Sequence, residues 1–128
     1  MIDKNLIKLA LLEDLQGGQD VTSVSTIGAD AISTADFVTR KDGVLAGIDM
    51  VAATLSEVGI NDIEIKKHDG DVISRGDVLL TVTGNTRSIL LAERTALNFV
   101  GHLSGIATTT SHWVKEVEGT HCLVRDTR

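Results

Sequence analysis

An α+β fold is predicted for residues 1–117 of this 128-residue chain, followed by the opening strand of a parallel α/β structure in residues 118–128. Three observations support this prediction. Segments with the alternation of strands cluster in residues 31–82, instead of alternating one by one with helices. Segments with helical spacing flank and divide this cluster. The apolar run of residues 121–126 follows a helical segment, which is the order of a parallel α/β unit.

The N-terminal elements are predicted from spacing. Apolar residues recur at helical intervals over residues 4–15, and a pair of glycines ends the pattern. Residues 20–23 are polar and are interpreted as a turn. A strand is predicted over residues 31–40, and a short apolar strand between glycines over residues 43–47.

The central elements follow the same logic. Asp49 is expected to cap a helix that reaches about Val58, because its side chain can accept a backbone hydrogen bond in the first turn. Residues 63–66 alternate between isoleucine and charge, as in a half-buried strand. Two further short strands are predicted over residues 72–73 and 78–82, separated by Gly-containing turns.

The C-terminal elements are mainly helical. Asn85 or Thr86 is expected to cap a long helix that ends near His102. Gly105 is interpreted as a break, after which a second helix is predicted to run to about Val117. The strand of residues 121–126 has no predicted partner strand, so we expect this chain to be the first part of a longer protein.

Composition excludes several classes of function. The formal net charge of −6 is unlike that of a general nucleic-acid binder, which needs a basic surface. Cys122 is the only cysteine, which excludes an internal disulfide and a cysteine-based zinc site. The sequence shows neither a signal peptide nor an apolar run long enough to span a membrane, so a cytoplasmic protein is expected.

Arg94 is the most informative charged residue. Its helical neighbours include Leu90, Leu91 and Leu97, and a guanidinium among leucines is costly unless it meets an anion. Arg94 could pair with Glu93 or another carboxylate, or extend its charged end into solvent. Alternatively it could bind an anionic ligand, because its planar fork matches a carboxylate.

The last two residues, Thr127 and Arg128, follow the predicted final strand. Ligands of parallel α/β structures collect at the carboxyl ends of strands, so Arg128 is a second candidate for an anion-binding residue. A solvated terminal side chain is the alternative on spacing alone, and Thr127 could equally belong to a turn. The four histidines show no metal-ligand spacing, and no catalytic residue or metal site is predicted within the chain.

A set of motifs recurs in a fixed order along the whole chain. These motifs are EDL (13–15), GQDVTS (18–23), GVLAG (43–47), DGDV (69–72), GDVL (76–79), LAERTALNF (91–99), LSGIAT (103–108) and DTR (126–128). Together they closely resemble the N-terminal part of the nicotinate-nucleotide pyrophosphorylase family, also called quinolinate phosphoribosyltransferases. The long helical motif and the final DTR are the most specific parts of this resemblance.

The resemblance implies both a fold and a reaction. The family has an N-terminal α+β open-faced sandwich, with an antiparallel sheet packed by helices, and then an incomplete α/β barrel. Its members convert quinolinate and phosphoribosyl pyrophosphate to nicotinate mononucleotide, pyrophosphate and carbon dioxide in NAD biosynthesis, with Mg²⁺ assisting at the pyrophosphate. The apolar residues of the helices predicted over residues 86–117 face two ways, which suits both a core and a subunit interface, so we expect a homodimer, or aggregation through the exposed apolar surface.

The resemblance assigns roles to three residues of this chain. Arg94 is implied to reach the active site of the neighbouring subunit, and Arg128, with Thr127 beside it, is implied to bind quinolinate at the end of the first barrel strand. The family's other basic residues and its acidic Mg²⁺ ligands match no position of this sequence. The 128-residue chain alone is therefore expected to show no phosphoribosyl transfer.

Three other readings stay open on the sequence, one of which is a non-catalytic truncated protein that retains only its dimer contacts. Residues 69–79 also resemble the hairpin of biotinyl and lipoyl domains, although Lys66 and Lys67 lack the usual flanking residues of a modified lysine. A paralogous phosphoribosyltransferase-like protein with another substrate, such as a molybdenum-transport-associated protein or a nicotinate phosphoribosyltransferase, would carry similar motifs.

Overall fold

The computed structural model describes residues 2–16 and 18–127 and contains four helices and five strands within them. The helices are α1 (Lys4–Leu15), α2 (Val21–Thr26), α3 (Ile48–Glu57) and α4 (Thr86–Glu116). The strands are β1 (Ile32–Val38), β2 (Gly43–Val44), β3 (Asp62–Ile65), β4 (Val72–Ile73) and β5 (Val78–Asn85).

The strands form two antiparallel sheets. The larger has the order β1-β5-β3, and the smaller pairs β2 with β4. One face of the larger sheet packs against the helices through buried side chains such as Phe37, Leu80 and Val82. The opposite face is polar: the hydroxyl of Thr81 donates a 2.7 Å hydrogen bond to Asp36. A sheet covered by helices on one face only is an open-faced α+β sandwich, which confirms the predicted fold class.

Helix α4 is continuous, so the predicted break at Gly105 is wrong. Asn85 caps the helix by accepting a 3.2 Å hydrogen bond from the backbone N–H of Ser88, as expected. The hydroxyls of Ser104 and Thr108 accept hydrogen bonds from the backbone N–H groups of Ala46 and Val44, at 3.0 and 2.9 Å; both donors lie in residues 43–47, which we call the β2 segment. These contacts lie on either side of Gly105 and offset the cost of about 1 kcal/mol that a glycine imposes on a helix interior.

Residues 20–23 were predicted as a turn, but Asp20 is the N-cap of α2 and residues 21–23 form its start. Asp20 caps this helix by accepting a 3.1 Å hydrogen bond from the backbone N–H of Ser23. At the other end, Arg87 of α4 donates to the backbone carbonyls of Val24 and Ile27. A six-residue helix is unstable alone, and a partner distant in sequence stabilises it here.

Helix α3 begins at Ile48, so Asp49 is not its cap. The N-cap residue is Gly47, whose φ of 94° favours glycine. The two carboxylate oxygens of Asp69 accept the backbone N–H groups of Gly47 and Ile48, both at 2.9 Å. The capping function therefore comes from a distant turn. A Cβ on Gly47 would lie 2.6 Å from a Leu103 methyl carbon, which also requires glycine here.

The remaining boundaries differ at the strands. The strands predicted over 31–40 and 43–47 are shorter than expected, and β5 extends to Asn85 instead of ending at residue 82. The strand predicted over 121–126 is absent: residues 122–127 have no regular secondary structure. No described strand lies beside them, and an unpaired strand cannot form ladder hydrogen bonds. Whether residues 118–128 begin a second domain stays a prediction.

No described helix combines the length and the apolar character that a membrane-spanning segment requires. Within residues 2–16 and 18–127, every helix is too short or too polar to cross a bilayer.

Candidate anion-binding groove

A polar groove of about 640 Å³ lies between α1, α2 and α4, and we call it the Arg94 groove. Its charged side chains are Asp14, Asp20, Glu93 and Arg94, with Asn98 on the following turn of α4. Asp14 comes from the last turn of α1 and Asp20 caps α2, so each helix brings a carboxylate to the groove. Packing of α1 and α2 against α4 therefore builds a site that no single element contains.

Arg94 lies in this groove with 75% of its side chain exposed. Its Nη1 donates a 3.2 Å hydrogen bond to Oδ1 of Asp14, whose own side chain is 24% exposed. The sequence left open whether Arg94 pairs with a carboxylate, extends into solvent or binds a ligand. The structure shows a carboxylate partner and a largely exposed side chain, and the ligand-binding role stays a prediction. The carboxylate is Asp14, not the adjacent Glu93.

Asp14 is the groove residue that sequence reasoning missed. It lies three residues after the buried Leu11 and seven after the buried Ile7, which places it on the buried face of α1. A carboxylate on a buried stripe was a signal available in the sequence. Its partner, however, lies 80 residues away, which helical spacing cannot identify.

Thr127 is not brought to the Arg94 groove. Thr127 is exposed, has no regular secondary structure and is absent from the groove's lining. Arg128 lies outside the described residues, so its predicted role is not tested. Across residues 2–16 and 18–127, no cluster of three or more histidine, cysteine or acidic side chains could hold a metal ion.

A second groove, of about 730 Å³, lies between β1 and α4. It is mainly apolar, with Phe37, Leu97 and Val100 among its lining residues. Its charged members are Asp36, Arg40 and Glu93, which are two anions and one cation.

Asp20 should make the stability of the domain depend on pH. Hydrogen bonds from the hydroxyl and the backbone of Ser23 hold the pKa of Asp20 below its ordinary value of 3.8. The folded state therefore binds fewer protons than the unfolded state as the pH falls below about 4, so stability is lost through that window. The pKa of Asp77 is also lowered, by a backbone hydrogen bond from Ser74 and by Lys67.

This pH dependence can be measured by urea unfolding at pH values from about 2.5 to 7. The range spans the titration of carboxylates, which lies at about pH 4. The Asp20→Asn variant is expected to lose less stability on acidification than the unsubstituted chain, because one depressed carboxyl group no longer titrates. Identical pH slopes for the two proteins would contradict this linkage.

The structure thus defines an α+β sandwich domain that presents one guanidinium in a polar groove built by three helices. The family described as "Quinolinate phosphoribosyl transferase, N-terminal domain" matches residues 20–104. This match spans more than half of the chain, and the chain belongs to that family.

Individual relatives agree with the family assignment. The chain is 43% identical over 128 residues to "Nicotinate-nucleotide pyrophosphorylase [carboxylating]" of Mycobacterium leprae, covering 98% of this chain and 45% of the relative. It is 41% identical over 108 residues to a mitochondrial "Quinolinate phosphoribosyltransferase [decarboxylating]" of Nicotiana tabacum, covering 84% of this chain and 31% of the relative.

Solved structures share the fold. The crystal structure of NadC from Streptococcus pyogenes superposes with a TM-score of 0.90 at 30% identity, covering 97% of this chain and 44% of that one. Nicotinate-nucleotide pyrophosphorylase from Francisella tularensis gives 0.82 at 31% identity, with 93% and 44% covered. The chain spans less than half the length of these relatives.

Proposed function

We propose that this chain is part of an enzyme that transfers a phosphoribosyl group to quinolinate. Quinolinate and phosphoribosyl pyrophosphate are the substrates, and nicotinate mononucleotide, pyrophosphate and carbon dioxide are the products, in a step of NAD biosynthesis. The observation that carries the proposal is Arg94, an exposed guanidinium held in a groove of a domain that belongs to this family.

Arg94 is suited to binding a pyridine dicarboxylate. A guanidinium has five N–H donors in a fixed fork. Among the described residues, the Arg94 guanidinium donates one hydrogen bond, from Nη1 to Asp14. The remaining edge can bind a carboxylate of quinolinate bidentately. A fixed cation there would orient the ring nitrogen toward the anomeric carbon and stabilise the charge that develops during decarboxylation.

The Arg94 groove supplies only part of such a site. The described residues that line the groove include one guanidinium, that of Arg94, and three carboxylates, those of Asp14, Asp20 and Glu93. A doubly negative ligand therefore needs further cations from another surface. We propose that Arg128, with Thr127 beside it, provides one of these contacts.

We propose that the enzyme is a homodimer in which Arg94 of one subunit enters the active site of its neighbour. The high exposure of Arg94 suits a contact with a second molecule. Exposed apolar residues on the same helix, including Leu97, Ile106 and Trp113, suit a buried interface. Size-exclusion chromatography with light scattering would reveal a monomer if this arrangement is incorrect.

Mg²⁺ and a cytoplasmic location are also proposals for the whole enzyme. Magnesium prefers carboxylate oxygens and substrate phosphates, and would assist at the pyrophosphate group. The described residues provide no cluster to hold the ion, so we derive no step of the reaction from it in this chain.

The alternative of a biotinyl or lipoyl module has less support. Residues 20–104 match the quinolinate phosphoribosyltransferase domain, and this span includes the resembling hairpin. Lys67 is moreover held 3.3 Å from Asp77 by an ion pair. The names of the relatives likewise favour quinolinate over the substrates of paralogous phosphoribosyltransferases.

The proposed function can be tested with a hybrid enzyme. In the hybrid, the 128 residues of this chain replace the matching N-terminal region of the Mycobacterium leprae relative. Release of pyrophosphate that depends on quinolinate is expected from the hybrid, and none from this chain alone. A folded hybrid that converts nicotinate and not quinolinate, or that converts neither, would contradict the proposal.

A further inference from the structure

We propose that Asp14 is a positioning residue for Arg94: it fixes the guanidinium in the Arg94 groove with one edge free for the substrate carboxylate. This inference rests on the proposed function, in which Arg94 binds quinolinate. It assigns a separate task to a residue that is not expected to touch the substrate.

The position of Asp14 on α1 is set by packing. Ile7 and Leu11 are 1% and 8% exposed and lie against the rest of the domain, and Asp14 continues the same face of the helix. Its side chain is accordingly about three times less exposed than that of Arg94. The carboxylate is therefore the fixed partner of the pair, and the long arginine side chain is the group that it orders.

The geometry of the ion pair suits positioning and not blockage. The only described hydrogen bond of the Arg94 side chain joins Nη1 to Oδ1 of Asp14 at 3.2 Å. A bidentate pair would have occupied a whole edge of the guanidinium, whereas this single contact leaves the other edge open. Asp14 and a ligand carboxylate can then bind Arg94 at the same time.

The stability of the fold gives Asp14 little reason to be acidic. Asp14 lies in the last turn of α1, where a negative charge faces the negative end of the helix dipole. The ion pair with Arg94 is largely exposed on the arginine side, and such pairs stabilise proteins weakly. The helix dipole therefore slightly disfavours an acidic residue at position 14. The role of Asp14 in ordering the guanidinium of Arg94 explains its presence better than a role in stability does.

The test compares Asp14→Asn with Glu13→Gln. Glu13 is the adjacent exposed residue of α1, so the control removes the same charge one position away without touching the pair with Arg94. In the hybrid enzyme, Asp14→Asn is expected to raise KM for quinolinate about tenfold with little change in kcat, the size expected for losing one charge-assisted hydrogen bond. Asp14→Glu should recover part of the loss, and Glu13→Gln should match the unsubstituted hybrid.

A second measurement does not depend on activity. Nitrogen-15 NMR of the 128-residue chain reports the mobility of the Arg94 guanidinium, which is expected to be restrained in the unsubstituted chain and in Glu13→Gln but mobile in Asp14→Asn. If Asp14→Asn matches Glu13→Gln in both KM and mobility, the positioning role is refuted while the proposed function stands. If Arg94→Ala leaves KM and kcat for quinolinate unchanged, the proposed function itself fails.

Discussion

Replacing Arg94 with alanine in the hybrid enzyme is expected to lower kcat/KM for quinolinate about 100-fold or more. Truncating one partner of a hydrogen-bonded charge pair that becomes buried in the complex costs roughly 2–5 kcal/mol, because the buried ligand carboxylate then lacks a partner. The thermal stability of the domain should hardly change. Arg94 is 75% exposed, and its ion pair with Asp14 contributes at most about 1 kcal/mol.

Two further variants make this result specific. Arg94→Lys keeps the charge but not the planar fork, and is expected to restore only part of the activity. Arg75→Ala removes an exposed arginine from the turn between β4 and β5, and should leave kcat/KM within about twofold. An equal loss in Arg75→Ala and Arg94→Ala would show that total charge, and not the position of Arg94, matters.

The second large effect is expected in the core. Leu80 is fully buried in the central strand β5, where it lies opposite Phe37 on one side and Ile65 on the other. Leu80→Ala should lower the free energy of unfolding by about 3 kcal/mol, through lost apolar burial and the cavity that remains. Urea unfolding followed by far-ultraviolet circular dichroism measures this loss, with an unchanged m-value.

A matched control is available in the smaller sheet. Val72 of β4 is 77% exposed, so Val72→Ala removes an apolar side chain without leaving a cavity. Its effect on the free energy of unfolding should stay within about 0.5 kcal/mol. A similar loss in both variants would mean that Leu80 is not part of the close-packed core.

Local sequence signals predicted much of the fold. The 3.6-residue spacing of Ile7 and Leu11 identified α1, and Asn85, one of the two residues predicted to cap α4, does cap it. The alternation of isoleucine with charged residues identified β3, because one face of that strand packs against the core and the other is exposed. Each of these signals arises from interactions within a few residues of the chain.

The errors occurred where a distant contact overrides a local signal. Gly105 looked like a helix break, but Ser104 and Thr108 on either side bond to the β2 segment, and α4 continues. Residues 20–23 looked like a turn, but Arg87, some sixty residues away, holds the end of α2. Tertiary hydrogen bonds of this kind offset the weak intrinsic preferences of short segments.

The sequence by itself determined the α+β class and the family and identified Arg94 as a candidate residue, because periodicity and ordered motifs are properties of the chain. Only the tertiary structure decided what Arg94 meets. Its partner Asp14 lies 80 residues away on another helix, and the same packing places Asp20 at the groove. Helical spacing shows which face of α1 is buried, but the partner of that face depends on how α1 packs against α4.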